Sequence, residues 1–233
     1  MSPRPASVID DAVAWLQDPG NWTGSNGVLP LAGEHLLMTV VAVLAAAALA
    51  LPLGIWLGHV GRGAILTVVA ANTTRALPTL ALLTLFAASA IGFGNRATVL
   101  AVTIFAIPPI LTNAYEGIRG VDPDARDAAV GMGMSPSRVL RTVSIPLALP
   151  LIGAGLRTSA VQVVATIPLA ALVGGGGLGV IIASGIATQR YGKALAGAVL
   201  VAVLSVGLEI VLSRLQRSLT PEPVRLLGES QPT

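Results

Sequence analysis

Long apolar stretches separated by short polar segments dominate this chain. Residues 36–58 carry no full charge. At about 1.5 Å per residue, a helix of that length crosses a hydrocarbon core of about 30 Å. Comparable apolar stretches follow at 76–95, 97–115, 146–173 and 194–212. Because apolar residues run continuously instead of alternating, the pattern predicts membrane-spanning helices and not barrel strands.

The predicted fold is all-α, with five transmembrane helices in a domain that covers residues 35–215. Residues 178–188 are apolar but too short to span, so they predict a re-entrant or interfacial helix. In the N-terminal segment 1–34, residues 8–17 fit a short amphipathic helix, and a loose surface tail fits equally well. The tail over 213–233 holds three prolines and ends polar, so it is expected to be poorly ordered. Its residues 216–233 lie beyond the membrane domain as a cytoplasmic tail.

Composition supports the membrane assignment. The chain is 54% hydrophobic and 11% charged, with a mean hydropathy of +0.80, whereas an ordinary soluble domain carries about 25% charged residues. A soluble chain of this kind would expose long apolar segments to water. The net charge is +3, and the basic residues are scattered at the ends of apolar stretches. Without a basic stripe interleaved with aromatics, nucleic-acid binding is not expected.

Loop charges predict the orientation in the membrane. With the N-terminus outside, the inner loops and tail carry Arg62, Arg119, Arg126, Arg138, Arg141, Arg214, Arg217 and Arg225, and the outer loops carry Arg4, Arg96, Arg190 and Lys193. This excess of positive charge favours an outer N-terminus and a cytoplasmic C-terminus. Residues 116–146 are therefore expected on the cytoplasmic side.

No pattern in the sequence indicates catalysis or a resident cofactor. The chain has no cysteine, which excludes disulfides and thiolate chemistry. His35 and His59 stand alone, so no metal site is expected, and no Ser/His/Asp grouping suggests an active site. A phosphate-binding loop is also missing from the sequence. The chain is therefore not expected to be an enzyme.

Residues 116–146, called the coupling segment below, do not read as a simple connector. Residues 122–124 (Asp-Pro-Asp) form a helix start, with an acidic cap and a proline in the first turn. They predict a short helix over 124–132 that ends at Gly131 and Gly133. A second helix is predicted over 136–145, ending at Pro146. The small alanine side chains of the first helix would allow close docking against another protein.

This segment resembles the coupling loop of binding-protein-dependent ABC importers. The family signature is Glu-Ala-Ala, three residues, Gly, nine residues, Ile, one residue, Leu-Pro. The matching positions are Asp127, Ala128, Ala129, Gly133, Val143, Ile145 and Pro146. Three positions differ mildly, with Asp for Glu, Val for Ile and Ile for Leu, and the spacing is intact. A chance amphipathic loop is the alternative.

The resemblance implies a type I importer permease in the cell membrane of a prokaryote, together with a set of partners. The coupling segment would dock on a separate cytoplasmic ABC ATPase subunit, which binds the ATP and magnesium. An extracytoplasmic substrate-binding protein would deliver solute, and a second permease subunit, identical or paralogous, would complete the pathway in the lipid bilayer. An ATP-independent secondary transporter and a membrane scaffold protein are the alternatives from other classes.

Other stretches are similar to the osmoprotectant branch of the family, whose solutes are glycine betaine, choline, carnitine and proline betaine. These stretches are residues 18–24, 51–59, 77–83, 149–179 and 187–198. Methionine permeases share the general layout, so another small solute remains the alternative. Quaternary ammonium groups are usually held by aromatic cages, and no predicted span carries two aromatics at cage spacing. Tight recognition is therefore expected on the binding protein, with a low-affinity path in this chain.

Ionisable and polar residues inside the apolar stretches are candidates for the translocation path. Arg157 would line the path with Gln162 and Thr166, because intramembrane charge is costly and normally faces the bundle interior. The favoured alternative is a structural contact of Arg157, either a carbonyl contact or a salt bridge such as one to Glu209 on the last span. Arg75 is explained by snorkelling of its guanidinium to the membrane surface.

Prolines and glycines mark candidate moving parts. Pro78, Pro108, Pro109 and Pro168 lie in predicted spans, where proline bends a helix and frees carbonyls. Proline is also common in membrane helices that have no moving part. A glycine run follows the fourth span and is either an outer gate or a plain chain reversal. It consists of Gly174, Gly175, Gly176 and Gly177.

Overall fold

The computed structural model of the chain describes residues 7–67, 69, 72 and 78–219, and these residues form helices joined by short turns. The helices are α1 (Val8–Gln17), α2 (Val28–Val60), α3 (Thr79–Ala88), α4 (Asn95–Arg119), α5 (Pro123–Gly131), α6 (Pro136–Val139), α7 (Ile145–Thr166), α8 (Gly179–Ala187) and α9 (Tyr191–Leu219). A 3₁₀ turn covers Pro19–Asn21, and a longer 3₁₀ segment, Ile167–Val173, follows α7. The predicted all-α class is confirmed.

Four helical stretches in the described part of the chain are long and apolar enough to cross a membrane. They are Val28–Val60, Asn95–Arg119, Pro136–Val173 and Tyr191–Ser218. Each contains one of the predicted spans and extends it. The remaining prediction, a span over 76–95, coincides with α3, which has only ten residues.

The predicted span over 76–95 was too long at its C-terminal end. The helix stops at Ala88 because the Ser89 hydroxyl donates to the Phe86 carbonyl and accepts from the Ile91 amide, 2.7 and 3.2 Å away. Side chains that bond the local backbone in this way compete with helix formation. Arg75, the residue assigned to snorkelling, lies outside the described residues.

Of the two predictions for residues 8–17, the structure shows the helix. Ser7 and Asp10 form a capping box at the start of α1, which satisfies two backbone amides that a helix start leaves open. The hydrogen bonds from Ser7 lower the pKa of the Asp10 carboxyl. Trp22 then anchors the end of α1, since its indole Nε1–H donates to the Leu16 carbonyl at 2.7 Å. The loose-tail alternative is wrong for residues 8–17.

The chain divides into two compact units. Described residues of the first unit fall in 7–44, 78–105 and 160–208, and those of the second fall in 45–72, 106–159 and 209–219. One core cluster of the first unit joins α3, α4 and the 3₁₀ segment around Leu83, and another joins α2 and α8 around Leu31. The core of the second unit surrounds Ile118 and Ala148.

A proline is built into the helix that leads from the coupling segment into the membrane span. The second helix of that segment was predicted to end at Pro146, but the chain stays helical from Pro136 to Val173. Residues Leu140–Ser144 form a π-helical turn, and the Ile145 amide donates to the Leu140 carbonyl. A wider turn directly before proline relieves the clash of its ring with the carbonyl four residues back. The predicted end was therefore wrong.

Candidate functional site

The coupling segment folds as a short helix with a defined start and end. Asp122 caps α5, its carboxylate accepting from the Asp124 amide at 2.9 Å. At the other end, Gly133 has a φ of +80°, and its amide donates to the Val130 carbonyl at 2.8 Å. A left-handed residue of this kind closes many helices, and glycine adopts it without steric cost. The predicted helix start at Asp122 and the predicted helix end at Gly133 are confirmed.

The exposed face of α5 is small and partly apolar. Asp127 and Ala128 are exposed, and the apolar side chains of Val130 and Met132 are 57% and 71% exposed. Ala129 is only 1% exposed, so its methyl group points into the protein. Of the predicted docking residues, Ala129 is therefore unavailable on this face because it packs inward.

A side chain of α5 ties this helix to the end of α4. The guanidinium of Arg126 donates a hydrogen bond to the carbonyl of Ile118. Carbonyls in the last turn of a helix have no donor within the helix, and a nearby cation is the usual substitute. The contact therefore fixes α5 to a membrane span.

The remaining signature residues lie in the π-helical turn before α7 and in the first turn of α7. Val143 is half-buried in the π-helical turn, and Pro146 follows it. Ile145 packs against the core cluster of the second unit, which includes Ala148 and Ile152. This packing joins the second part of the signature to the membrane helices and not to the exposed face.

Arg157 is paired, as the favoured interpretation of the sequence proposed. Its Nε lies 3.4 Å from Oε1 of Glu209, and the side chains are 31% and 43% exposed. The pair joins α7 to α9 inside the second unit. Nine positions of a regular helix amount to about two and a half turns, so Arg157 and Thr166 project from opposite sides of α7. Gln162 keeps a buried amide oxygen that has no hydrogen-bond partner among the described residues.

The predicted outer gate is a loop whose backbone amides all point at acceptors in the first unit. The Gly175 amide donates to the Ala170 carbonyl at 2.8 Å. The Gly176 amide donates to the Asn95 side-chain oxygen at 2.8 Å. The Gly177 amide donates to Oε2 of Glu34 at 2.9 Å. Asn95 also donates from its side-chain nitrogen to Oε1 of Glu34.

Glycine suits this loop at the point where it meets α2. Gly176 lies so close to the Glu34 carboxylate that a Cβ built there would overlap it, and Gly177 adopts a φ of +78°. Glycine permits both the close approach and the left-handed conformation. The loop is therefore held against α2 and α4 in one defined geometry.

His35 joins the same loop to α7 from a fully buried position. Its Nε2 lies 3.0 Å from the Val164 carbonyl, and its Nδ1 lies 3.4 Å from the Leu178 amide. A backbone amide can only donate, so Nδ1 accepts and the ring is neutral with its proton on Nε2. In a regular helix the Val164 carbonyl would accept from residue 168, which is proline and has no amide hydrogen. The histidine supplies that missing donor.

Reasoning from the sequence missed this network. His35 was read as an isolated residue, and Glu34 and Asn95 were not singled out. The available signal was Pro168, because it leaves a carbonyl one turn earlier that needs a donor. Nothing in the sequence identified which distant residue would supply it.

Comparison with known proteins agrees with the fold. Residues 50–222 match the family described as binding-protein-dependent transport system inner membrane component. The choline transport system permease protein OpuBB of Bacillus subtilis is 36% identical over 84% of this chain and 90% of its own length. The osmoprotectant import permease protein OsmW of Salmonella typhimurium is 32% identical over 92% of this chain and 100% of its own length.

A solved structure supports the same fold. The MetNI methionine ABC transporter in an inward-facing conformation aligns with a TM-score of 0.70 at 24% identity. The alignment covers 83% of this chain and 96% of that chain. The chain thus has the type I ABC importer permease fold, and it belongs to the family of binding-protein-dependent transport system inner membrane components.

Proposed function

We propose that this chain is the membrane-spanning permease of an ATP-driven importer for osmoprotectants, small solutes such as glycine betaine, choline and carnitine. The substrate class rests on the relatives, which are named as permeases for choline, for glycine betaine, carnitine and choline together, and for osmoprotectants. Each of these three aligns along at least 90% of its own length. The likeness therefore extends to whole permease subunits.

The exposed face of α5 is the observation that carries the mechanism. A helix of nine residues lies outside the apolar spans and presents Asp127, Ala128, Val130 and Met132 outward. Exposed apolar side chains on a short capped helix are typical of a docking surface. The partner is a separate ATPase subunit on the cytoplasmic side, since this chain has no phosphate-binding loop of its own.

The anchoring of α5 explains how docking moves the membrane helices. Arg126 fixes α5 to the end of α4, and α6 continues through the π-helical turn into α7. A displacement of α5 by a closing ATPase therefore reaches both spans. Two such permeases around one path, fed by an extracytoplasmic binding protein, would alternate between inward-open and outward-open states.

Transport into vesicles tests the proposal. The chain is reconstituted with its ATPase and any paralogous permease, with binding protein outside and ATP inside, and glycine betaine uptake is measured. We expect uptake that requires ATP. Transport of a different solute would retain the importer and overturn the substrate class. Uptake indifferent to ATP would contradict the importer and favour a secondary transporter.

Substitutions on α5 test the docking surface. Ala128→Trp is expected to abolish uptake and weaken ATPase binding, because an indole replaces a methyl on the exposed face. Ala187→Trp is the control, since Ala187 is also exposed but lies at the end of α8. Equal effects of the two substitutions would place the docking surface elsewhere.

The geometry of the turn after α5 provides a second test. Gly133→Ala forces a side chain into a φ of +80°, which costs about 1–2 kcal/mol. Gly131→Ala adds the same methyl at a position where nothing lies within 4 Å. We expect Gly133→Ala to reduce ATP-dependent uptake and Gly131→Ala to preserve it. Gly133→Asn should recover part of the loss because asparagine tolerates this conformation.

A further inference from the structure

Two clefts of the first unit meet at the same four residues. One cleft has a volume of about 610 Å³ and the other about 760 Å³. Both are lined by Glu34, Ile91, Asn95 and Arg96. The larger cleft continues along the glycine loop, and the smaller one continues along apolar side chains of α2 and α4, including Leu37, Met38 and Val99.

The charges at this junction are opposite but not paired. Glu34 and Arg96 line both clefts, yet they form no ion pair within 4.0 Å; among the described residues, the ion pair found joins Arg157 and Glu209. The carboxylate and the guanidinium are therefore more than 4.0 Å apart, and both residues line the same two clefts. A molecule that carries one charge of each sign could bridge them.

The carboxylate of Glu34 is held in place by donors that leave its charge intact. The Asn95 side-chain amide and the Gly177 backbone amide each donate to one of its oxygens. These donors are neutral, and they fix the orientation of the carboxylate. A quaternary ammonium has no N–H to donate, so it needs only an oriented anion and an apolar wall for its methyl groups. The cleft beside Leu37 and Met38 provides such a wall.

We propose that the junction of these clefts is a binding site for a zwitterion that carries a quaternary ammonium and a carboxylate. Glu34 faces the ammonium group, Arg96 binds the carboxylate, and the apolar wall contacts the methyl groups. Guanidinium binds carboxylates with directed, charge-assisted hydrogen bonds. This inference rests on the proposed function and refines it. With its N-terminus outside, the chain carries this site at its outer end, where solute released by a binding protein first meets the permease.

The composition of the site predicts weak binding. Tight quaternary ammonium sites surround the cation with several aromatic faces, and no aromatic residue lines the smaller cleft. In the larger cleft Phe93 is the aromatic among the lining residues, and its side chain is 75% exposed. One anion and one cation therefore carry the recognition. Weak binding suits a site that must release solute inward.

Binding is measured first without transport. The chain has no cysteine, so Ile91→Cys introduces a single thiol that lines both clefts. The variant is reconstituted in bilayers of phosphatidylethanolamine and phosphatidylglycerol, which contain no quaternary ammonium headgroup. Millimolar glycine betaine is expected to slow maleimide labelling of this thiol at least about twofold. Ile186→Cys is the control, since Ile186 is 58% exposed and lines neither cleft.

The charged residues are then removed one at a time. Glu34→Gln should abolish protection of Ile91→Cys by both glycine betaine and choline. Arg96→Gln should abolish protection by glycine betaine and leave protection by choline, which has no carboxylate. Arg190→Gln removes an exposed outer charge that lines neither cleft and should change nothing. In uptake supplied by the binding protein, we expect Arg96→Gln to lower the maximal rate for glycine betaine and to leave KM nearly unchanged, because the binding protein captures the solute.

The outcomes separate the site from the proposed function. Absence of protection at Ile91→Cys with normal ATP-dependent uptake would overturn the site and retain the importer. Equal protection at Ile186→Cys, or protection that survives Glu34→Gln, would also overturn the site. A loss of choline protection in Arg96→Gln would show that Arg96 holds the fold and does not bind carboxylate. Protection without ATP-dependent uptake would retain the site and overturn the proposed function.

Discussion

A single buried histidine compensates for a proline on another helix. Pro168 leaves the Val164 carbonyl without its regular helical donor, and His35 on α2 donates to that carbonyl at 3.0 Å. The other ring nitrogen accepts from Leu178. One imidazole therefore holds the end of α7 and the end of the glycine loop together. His35 therefore supplies the hydrogen bond that Pro168 cannot donate to the Val164 carbonyl.

Replacing this histidine should destabilise the fold. His35→Leu leaves the Val164 carbonyl and the Leu178 amide without these partners, and each unsatisfied buried group costs about 1–3 kcal/mol. We expect a lower midpoint of thermal unfolding for the purified protein in detergent. His59→Leu at the exposed other end of α2 is the control and should leave the midpoint unchanged. An unchanged midpoint for His35→Leu would mean that the two hydrogen bonds contribute little.

The ion pair between Arg157 and Glu209 depends on both partners. Breaking an ion pair in an apolar environment leaves one uncompensated charge, whereas removing both charges leaves none. Arg157→Met and Glu209→Met are therefore each expected to lower the unfolding midpoint more than the double variant does. A double-mutant cycle on the purified protein measures the coupling. Additive effects would mean that the pair is formed without contributing to stability.

At the scale of single residues, the sequence predicted roles that depend on local chemistry. Asp122 as a helix cap and Gly133 as a helix end follow from neighbouring positions, and both are present. The partner of Arg157 was also identified, because few opposite charges exist in the apolar stretches. The roles of Glu34 and Asn95 depend on residues more than 60 positions away. Spacing along one chain carries no information about such contacts.

Two helices of the second unit approach closely through glycines. A Cβ built on Gly54 would lie 2.8 Å from the Cβ of Ala114, and one on Gly58 would lie 2.9 Å from the Cβ of Ile118. Small residues four positions apart allow close packing of helix backbones in membranes. The contact between α2 and α4 therefore requires these glycines.

Alanine substitutions along α2 should have opposite effects at two glycines. Gly58→Ala forces a methyl into a filled contact, where overpacking costs about 1–3 kcal/mol. Gly33→Ala adds a methyl where nothing lies within 4 Å, and alanine favours helix by about 1 kcal/mol over glycine. The unfolding midpoint should fall for the first variant and hold or rise for the second. A similar change at both positions would contradict close packing of α2 on α4.

Helix ends were harder to predict than helices. Hydropathy located the spans because apolar length is a local property, and α8 was predicted as a short separate helix. Helix α2 starts at Val28, eight positions before the predicted start at 36, and it includes Glu34 and His35, whose side chains contact distant parts of the chain. The early end of α3 depends on Ser89. Polar residues end a helix or continue it according to contacts that only the folded protein supplies.

In the whole molecule, the helix ends that are predicted to face the outside of the membrane contact one another within the first unit. Glu34 at the start of α2, Asn95 at the start of α4 and the glycine loop after α7 share one hydrogen-bond network. The coupling segment belongs to the second unit. The orientation stays a prediction, in which a binding protein would act at the first set of elements and an ATPase at α5.

Cysteine accessibility in intact cells tests that orientation directly, because the chain has no native cysteine. Ser25→Cys and Thr188→Cys, at exposed positions outside the spans, should react with a membrane-impermeant maleimide added to whole cells. Ser137→Cys, exposed near α6, should react only after permeabilisation, because the arginine-rich loops are retained inside. The opposite pattern would place α5 outside the cell, where no ATPase could dock on it. The proposed coupling mechanism would then fail even if the chain transported glycine betaine.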